Sequence, residues 1–368
     1  MGPTAPARGE CPLQVRVGRR RESSAPILGR PLSAPYLIDC DTGIDDALAL
    51  LYACASPEID LVAVTCVAGN VGARQVAENT RAVLELAGRT EVEVALGREM
   101  PLVRSLEIAP ETHGPRGLGY AELPPPARAL SERHAVDVIL DTAERHGGEL
   151  TIVTLGPLTN LAMALLRAPD LPRRVRWVLM GGSYRSAGNT APTTEWNIHC
   201  DPEAAAIAFE TFGASQAAVE GSGRRPTALG LDVTERAKFT PDRLERLASF
   251  APDSPVVRFV REALRFYMEF HSRYDGFYGA FIHDALAVAA AVDPSLIRTE
   301  ALAVQIELQG TLTAGETVTD WRRTWGRRPN VDVAVEVDSE RFLDRLAERI
   351  GMFAASDAGL ATQGASLR

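Results

Sequence analysis

The stretch Tyr36-Leu37-Ile38-Asp39-Cys40-Asp41-Thr42-Gly43-Ile44-Asp45-Asp46 runs from an apolar segment straight into four aspartates. Residues 35–38 read as a short buried strand and residues 47–54 as a helix, with Thr42-Gly43 turning between them. Asp39 and Asp41 are two apart and share a face if the strand persists that far. Asp45 and Asp46 fall near the helix start, where the macrodipole favours negative charge. One or two of these aspartates could cap the helix, but capping has no use for four. Ionised carboxylates about 4 Å apart repel by roughly 4 kcal/mol per pair at an effective dielectric of 20. Such crowding is tolerated only where protons or a cation compensate it. Oxygen-only ligands point to a hard divalent cation, Ca²⁺ or Mg²⁺.

Outward from this segment, strand-like and helix-like stretches alternate. Strands are expected over 59–67, 92–96, 150–154, 175–180 and 227–231, and helices over 74–87, 135–145, 158–166 and 204–212. Residues 98–130 are rich in proline and read as loop, and 214–226 read as a surface insertion. Residues 240–292 read as helical. Late strands are expected over 301–308, 317–321 and 331–337, in antiparallel pairing, before a final helix over 339–350. The alternation implies an α/β fold: an open, mostly parallel, Rossmann-like sheet flanked by helices. No linker separates two cores, so one domain is expected over 34–352. Residues 1–33 read as a disordered N-terminal extension, with organelle targeting as the alternative, and 353–368 as a C-terminal tail.

Composition narrows the functional classes. The 368 residues carry a net charge of −9, which argues against nucleic acid as a partner. Lys238 is the only lysine and lies outside any Gly-rich loop, which excludes a Walker phosphate loop. The five cysteines form no metal or redox spacing and fit a reducing cytoplasm. The longest apolar stretch, near 285–292, is too short to span a bilayer.

The loops after the expected strands carry unusual polar residues. They are Gly69-Asn70, Leu155-Gly156-Pro157-Leu158-Thr159-Asn160, Met180-Gly181-Gly182, Gly188-Asn189, Glu195-Trp196-Asn197 and, late in the chain, His283-Asp284. In parallel sheets ligands sit at the carboxyl ends of the strands, so these loops suggest one polar pocket. Asn160 reads as structural and stays outside it. His283 alone would read as a structural histidine; beside Asp284, at a helix start, it becomes a candidate acid.

These residues resemble the calcium-dependent nucleoside hydrolases. The resemblance rests on Asp39 to Asp46, Gly69-Asn70, His113-Gly114, Leu155 to Asn160, Met180-Gly181-Gly182, Asn189, Glu195-Trp196-Asn197 and His283-Asp284, and covers about residues 35–350. Thr42 stands where the family usually has proline. The resemblance implies hydrolysis of the N-glycosidic bond of ribonucleosides to ribose and free base. It implies Ca²⁺ held by Asp41, Asp46, Asp284 and the backbone carbonyl of Leu155, with a calcium-bound water as nucleophile and Asp41 as its base. Asp45, Asn197 and Asp284 would bind the 2′- and 3′-hydroxyls, and Asn189 and Glu195 the 5′-hydroxyl. Asn70 matches a further pocket position, and Asp39 would support the metal site from behind. The chemistry suits these residue types, because an oxocarbenium-like transition state gains from carboxylates beneath the sugar. His283 is the natural donor of a proton to the departing base. A small nucleoside substrate, a homodimer or homotetramer and a place in purine or pyrimidine salvage follow from the same resemblance, with no nucleic-acid or membrane partner.

Base preference is not legible. Phe266, Tyr267, His271, Tyr274, Phe277 and Tyr278 precede His283 at near-helical spacing and suit either a stacking wall for the base or an ordinary helix core. Two other readings of the aspartates remain. A haloacid-dehalogenase-like phosphatase would use Asp39-Cys40-Asp41 but needs a downstream basic residue, for which Lys238 is the only lysine. A non-catalytic ribose- or nucleoside-binding protein would have no use for Asp41 or His283.

Overall fold

The computed structural model describes residue 2 and residues 33–218 and 225–356. Packing divides the chain into Met1–Leu32 and Ser33–Arg368, and the second unit holds every element named below. The expected extension over 1–33 thus lies outside the described residues except at 2 and 33, and the tail lies outside them beyond 356.

The chain begins with β1 (Ala34–Cys40), α1 (Ile44–Cys54), β2 (Ile59–Cys66), α2 (Ala73–Leu86) and β3 (Glu93–Leu96). After a long loop come α3 (Pro110–His113), α4 (Ala135–His146), β4 (Thr151–Thr154), α5 (Thr159–Arg167) and β5 (Arg176–Met180). Next are α6 (Trp196–Cys200), α7 (Pro202–Ala218), β6 (Thr227–Leu229), α8 (Leu231–Thr234), β7 (Lys238–Phe239), α9 (Pro241–Ala248) and α10 (Pro255–Tyr274). The chain continues through β8 (Ala280–Phe281), α11 (Asp284–Val292), β9 (Ile297–Leu302), β10 (Val304–Ile306), β11 (Thr317–Thr319), β12 (Val331–Val337) and α12 (Ser339–Ala355).

The central sheet has the order β3-β2-β1-β4-β5-β6-β12-β9. Its strands are parallel except β9, which runs antiparallel to β12. From β1 the chain winds outward to β3, then returns to β4 and winds the other way. The order reverses between β1 and β4, and such a switch point opens a crevice at the strands' carboxyl ends. The acid-rich end of β1 and the loop after β4 border that crevice.

Alternation along β1 divides the core. Tyr36, Ile38 and Cys40 pack with α1, α10, α11 and α12 on one side. Leu37 faces the opposite layer, with α4, α5 and α7. This is the period-two pattern of a strand buried on both faces. Helices α1 and α11 pack against each other and are buried nearly end to end. Their alanine-rich faces allow close approach, and their first turns carry Asp45, Asp46 and Asp284.

Several boundaries differ from expectation. The helical stretch over 240–292 is broken into α9, α10 and α11, with β7 and β8 pairing antiparallel between them. Pro255 starts α10 at its first position, and Gly276, at φ +74°, follows its end. The strand expected over 301–308 is two strands: β9 joins the central sheet, while β10 pairs with β11 in a separate hairpin. Helix α12 runs to Ala355 with Ala354 buried, so it crosses the domain end expected at 352. Its apolar face continues past the boundary, where Phe353 and Ala354 pack on the core. The insertion expected from 214 begins later, since α7 extends to Ala218; residues 219–224 lie outside the described residues. No helix among the described residues is long and apolar enough to cross a membrane.

Candidate active site

The aspartates of the opening segment are all buried: Asp39 and Asp46 at 0%, Asp41 at 1% and Asp45 at 5% exposure, joined by Asp284 at 3%. Asp46 folds back over its own helix start. Its Oδ2 accepts from the Gly43 N–H at 2.8 Å and from Asn70 Nδ2 at 3.1 Å, and its Oδ1 from the Asp41 N–H at 3.2 Å. Asp41 Oδ2 accepts from the Asn70 N–H at 2.8 Å, while its buried Oδ1 has no partner. Two glycines press on this carboxylate. A Cβ on Gly69 would fall 2.1 Å from Asp41 Oδ2, and one on Gly156 2.7 Å from its Oδ1.

Asp45, Asp46 and Asp284 each offer an oxygen within 4.8 Å of the others. Expectation placed Asp41 rather than Asp45 in this trio. Asp45 joins because the first turns of α1 and α11 meet, whereas Asp41 precedes α1 and reaches the trio through Asp46. Burial, and then the neighbouring carboxylates, push Asp41, Asp45 and Asp284 well above the carboxylic range. Burial also raises Asp46, against the N–H groups that bind it.

Among the described residues, the only basic side chain within 4.0 Å of these carboxylates is His113, whose Nδ1 is 4.0 Å from Asp45 Oδ1. That nitrogen accepts from the Ile44 N–H at 3.1 Å, and burial lowers His113 to about 3, so it brings no positive charge at neutral pH. A buried, oxygen-only set with an unpartnered Asp41 Oδ1 and no side-chain cation fits a hard metal ion.

Asp39 does not line the cavity, and its buried Oδ2 has no partner. Its Oδ1 accepts from Thr65 Oγ1 at 2.5 Å and from Asn160 Nδ2 at 2.8 Å, and burial raises it to about 7. Asn160 also bonds the Cys66 carbonyl and the Arg98 N–H, which is a structural role. Thr42 binds Thr80 Oγ1 of α2 at 2.6 Å, and its carbonyl accepts from Asn79 Nδ2 at 3.1 Å. The hydroxyl thus ties the turn to α2 where proline would have stiffened it.

A cavity of about 570 Å³ opens above the acids, lined at this end by Asp45, Asn70, Leu155, Asn189, Glu195, Asn197 and Asp284. Asp41 and Asp46 lie beneath its floor. Asn197 Nδ2 donates to the Leu155 carbonyl at 2.6 Å and to the Met180 carbonyl at 3.3 Å. Glu195 caps α6: Oε1 accepts from the Asn197 N–H at 2.9 Å, and Oε2 from the Gly182 N–H at 2.9 Å and the Ile198 N–H at 3.2 Å. Burial raises its pKa and those three N–H groups oppose the rise. Asn189 is exposed at the rim, with Oδ1 on the Trp196 N–H at 3.0 Å.

The far end is aromatic. Tyr267, His271 and Tyr274, expected as a wall, do line the cavity; Phe266, Phe277 and Tyr278 do not. Phe266 packs edge-on against Tyr120 at 5.0 Å, Phe277 stacks behind His271 at 5.6 Å, and Tyr278 is exposed. Phe270 and Phe281 were missed, and His113, which helped carry the resemblance without a role, lines the cavity too. Phe270 fits the three-residue step from Tyr267, so the helical period could have found it. His113 is 69 residues from Ile44, and only the tertiary fold brings them together. His283 lines the same cavity, with Nδ1 2.8 Å from Thr234 Oγ1. Burial, then His271 and His113, lower it to about 3, so its ring is uncharged at neutral pH.

Lys238 sits on β7 with Nζ over the Phe277 ring at 4.8 Å, away from the aspartates. With Asp39 turned towards Asn160 as well, the phosphatase reading has neither its nucleophile nor its lysine.

Comparison with known proteins agrees with this geometry. A sequence model described as inosine-uridine preferring nucleoside hydrolase matches residues 36–344. The pyrimidine-specific ribonucleoside hydrolase RihA of Escherichia coli O9:H4 (strain HS) is 39% identical over 325 residues, covering 88% of this chain and 100% of that protein. Among solved structures, a purine-preferring ribonucleoside hydrolase from Gardnerella vaginalis superposes with a TM-score of 0.80 at 34% identity, over 87% of this chain and 99% of the other. A plant nucleoside hydrolase gives 0.80 at 33% identity, over 88% and 99%.

Proposed function

The chain belongs to the inosine-uridine preferring nucleoside hydrolase family and is a hydrolase of the N-glycosidic bond of ribonucleosides; on that footing we propose that it works with one Ca²⁺ held among Asp41, Asp46, Asp284 and the Leu155 carbonyl, with Asp45 beside them. The observation that carries this reading is the meeting of Asp45, Asp46 and Asp284 within 4.8 Å, buried and without a side-chain cation among the described residues. A bound calcium ion supplies the positive charge that lets a water lose its proton near neutral pH.

The chain's own residues do the rest. Asp41 Oδ1, free of hydrogen bonds, takes the proton of the attacking water. Asp45, Asn197 and Asp284 hold the 2′- and 3′-hydroxyls, which fixes the reacting carbon above the acids. Asn70 borders the same floor. Glu195 and Asn189 address the 5′-hydroxyl; both Glu195 oxygens already accept N–H bonds but keep lone pairs for a further donor. The buried carboxylates stabilise the positive charge that grows on ribose. His283 lines the cavity and passes to the departing base a proton that its uncharged ring first takes up from solvent, its Nδ1 steadied by Thr234.

The relatives' names give opposite base preferences, pyrimidine for RihA and purine for the Gardnerella enzyme. The functional reading is therefore a ribonucleoside hydrolase without a chosen base. It extends to a cytoplasmic homodimer or homotetramer in purine or pyrimidine salvage, acting on free nucleosides rather than nucleic acid.

Elemental analysis of the purified protein, with ribose release from inosine and uridine before and after chelation, tests the metal. The expected result is about one calcium per chain, with activity lost on chelation and restored by Ca²⁺. Full activity in chelated protein with no bound metal would falsify the assignment.

A further inference from the structure

Helix α10 ends in a polar pair facing the aromatic half of the cavity. His271 and Asp275 are one turn apart, with His271 Nδ1 2.8 Å from Asp275 Oδ2. A carboxylate can only accept, so the imidazole proton resides on Nδ1 and the lone pair on Nε2. His271 is 3% exposed, and its Nε2 is buried with no hydrogen-bond partner. Aromatic rings pack around the imidazole: Tyr267 tilted against it at 4.5 Å, and Phe281 and Phe270 in edge contacts at 4.8 and 5.2 Å between centroids. An acceptor left unpaired in such surroundings is costly, and this one borders the cavity that also holds Asp45 and Asp284.

The acids claim one end of that cavity for ribose, so the base of a bound nucleoside lies at the other, between aromatic faces. Burial lowers His271 from its ordinary value, against the opposing pull of Asp275. With the ring's proton held on Nδ1 by the Asp275 carboxylate, Nε2 is left as an acceptor.

We propose that His271, with its tautomer fixed by Asp275, is the acceptor that reads an N–H on the far edge of the base, so that the enzyme selects nucleosides carrying a donor there, such as the lactam N–H of hypoxanthine or uracil. This rests on the hydrolase reading and adds a specificity contact to it. For the base edge to reach the buried Nε2, the Phe281 ring that packs edge-on to His271 has to shift. Asp275 is a positioning residue: it acts by keeping the proton on Nδ1.

The test compares kcat/KM for inosine with purine riboside, and for uridine with pyrimidin-2-one riboside. Each second member lacks the edge donor and adds no bulk. His271→Phe keeps the aromatic packing and removes the acceptor. The expected result is that the preference for the donor-bearing member falls by roughly 10- to 100-fold in the variant. Differences in intrinsic leaving ability cancel, because the same pair is measured in both proteins. Asp275→Ala lowers the preference partway, and Asp275→Asn, whose carbonyl still accepts from Nδ1, restores it.

An unchanged preference in His271→Phe overturns the proposal. So does an equal loss on every substrate including p-nitrophenyl riboside, since the ring would then only pack. If His271→Phe fails to fold, His271→Leu is read the same way. If the native protein hydrolyses no nucleoside, the hydrolase reading fails first; calorimetric binding of inosine against purine riboside to native and His271→Phe protein still decides the contact, and equal selectivity in both overturns it.

Discussion

Asp41 shows how much a single residue's surroundings can concentrate. It is buried beneath the cavity floor, its Oδ2 is fixed by the Asn70 N–H, and its Oδ1 has no partner. Asp41→Asn keeps the shape but removes a charge and the proton acceptor. The expected outcome is a fall in kcat of roughly 10²–10⁴, measured by ribose release in protein whose metal content has been checked. Near-normal turnover with metal bound would show that another group takes the proton. Glu195 teaches a different lesson at the same scale. Its position before a short helix makes it a cap for α6, and its carboxylate is held by three N–H groups. A residue that reads as a ligand in sequence can also be the brace for its neighbour Asn197.

At the scale of elements, the site is made by helix starts and strand ends. The first turns of α1 and α11 meet and supply three acids, and the positive ends of both helix dipoles lie under them. The loops after β2 and β4 enclose Asp41 through Gly69 and Gly156, whose missing side chains leave the space its carboxylate fills. Gly69→Ala places a methyl 2.1 Å from the present position of Asp41 Oδ2, so the carboxylate must move. The expected outcome is loss of metal and a large fall in kcat, while the melting temperature, compared with that of the parent protein after chelation of both, is lowered far less than a core deletion would lower it. Activity, metal content and thermal unfolding of that one variant check this. Retained metal with full activity would mean that the loop, and not the carboxylate, gives way.

Across the whole molecule, the buried acids make stability depend on pH and metal together. Asp39 is raised to about 7, and Asp41, Asp45, Asp46, Asp284 and Glu195 are raised as well, each by burial first. A carboxyl whose folded pKa lies above its unfolded value favours the fold while protonated, and that contribution is lost as pH rises through the folded pKa. For Asp39 the loss runs from about pH 4 to about 7 and is on the order of 4 kcal/mol in metal-free protein. The chelated protein should therefore melt at a lower temperature at pH 8 than at pH 5. Calcium binds only the folded chain and should raise the melting temperature more at pH 8. Calorimetric scans at both pH values, with and without Ca²⁺, provide the measurement; a chelated protein more stable at pH 8 contradicts the argument.

The sequence alone determined the α/β alternation, the acid segment at the end of the first strand and most of the loops that border the cavity. These are local features: strand and helix periods, turn residues and charge crowding are written in neighbouring positions. It also marked Asn160 as structural, and that residue now ties Asp39 to Cys66 and Arg98. Tertiary structure alone decided that Asp45 rather than Asp41 completes the closely spaced trio, because the packing of α1 on α11 joins residues 239 positions apart. It decided that His113 reaches Ile44, that Phe281 joins the aromatic wall and that Phe266 turns away from it. The breaks that divide residues 240–292, and the split of the late strand between the central sheet and a hairpin, were settled the same way. Each depends on which surfaces of distant segments meet, and no short-range periodicity records that.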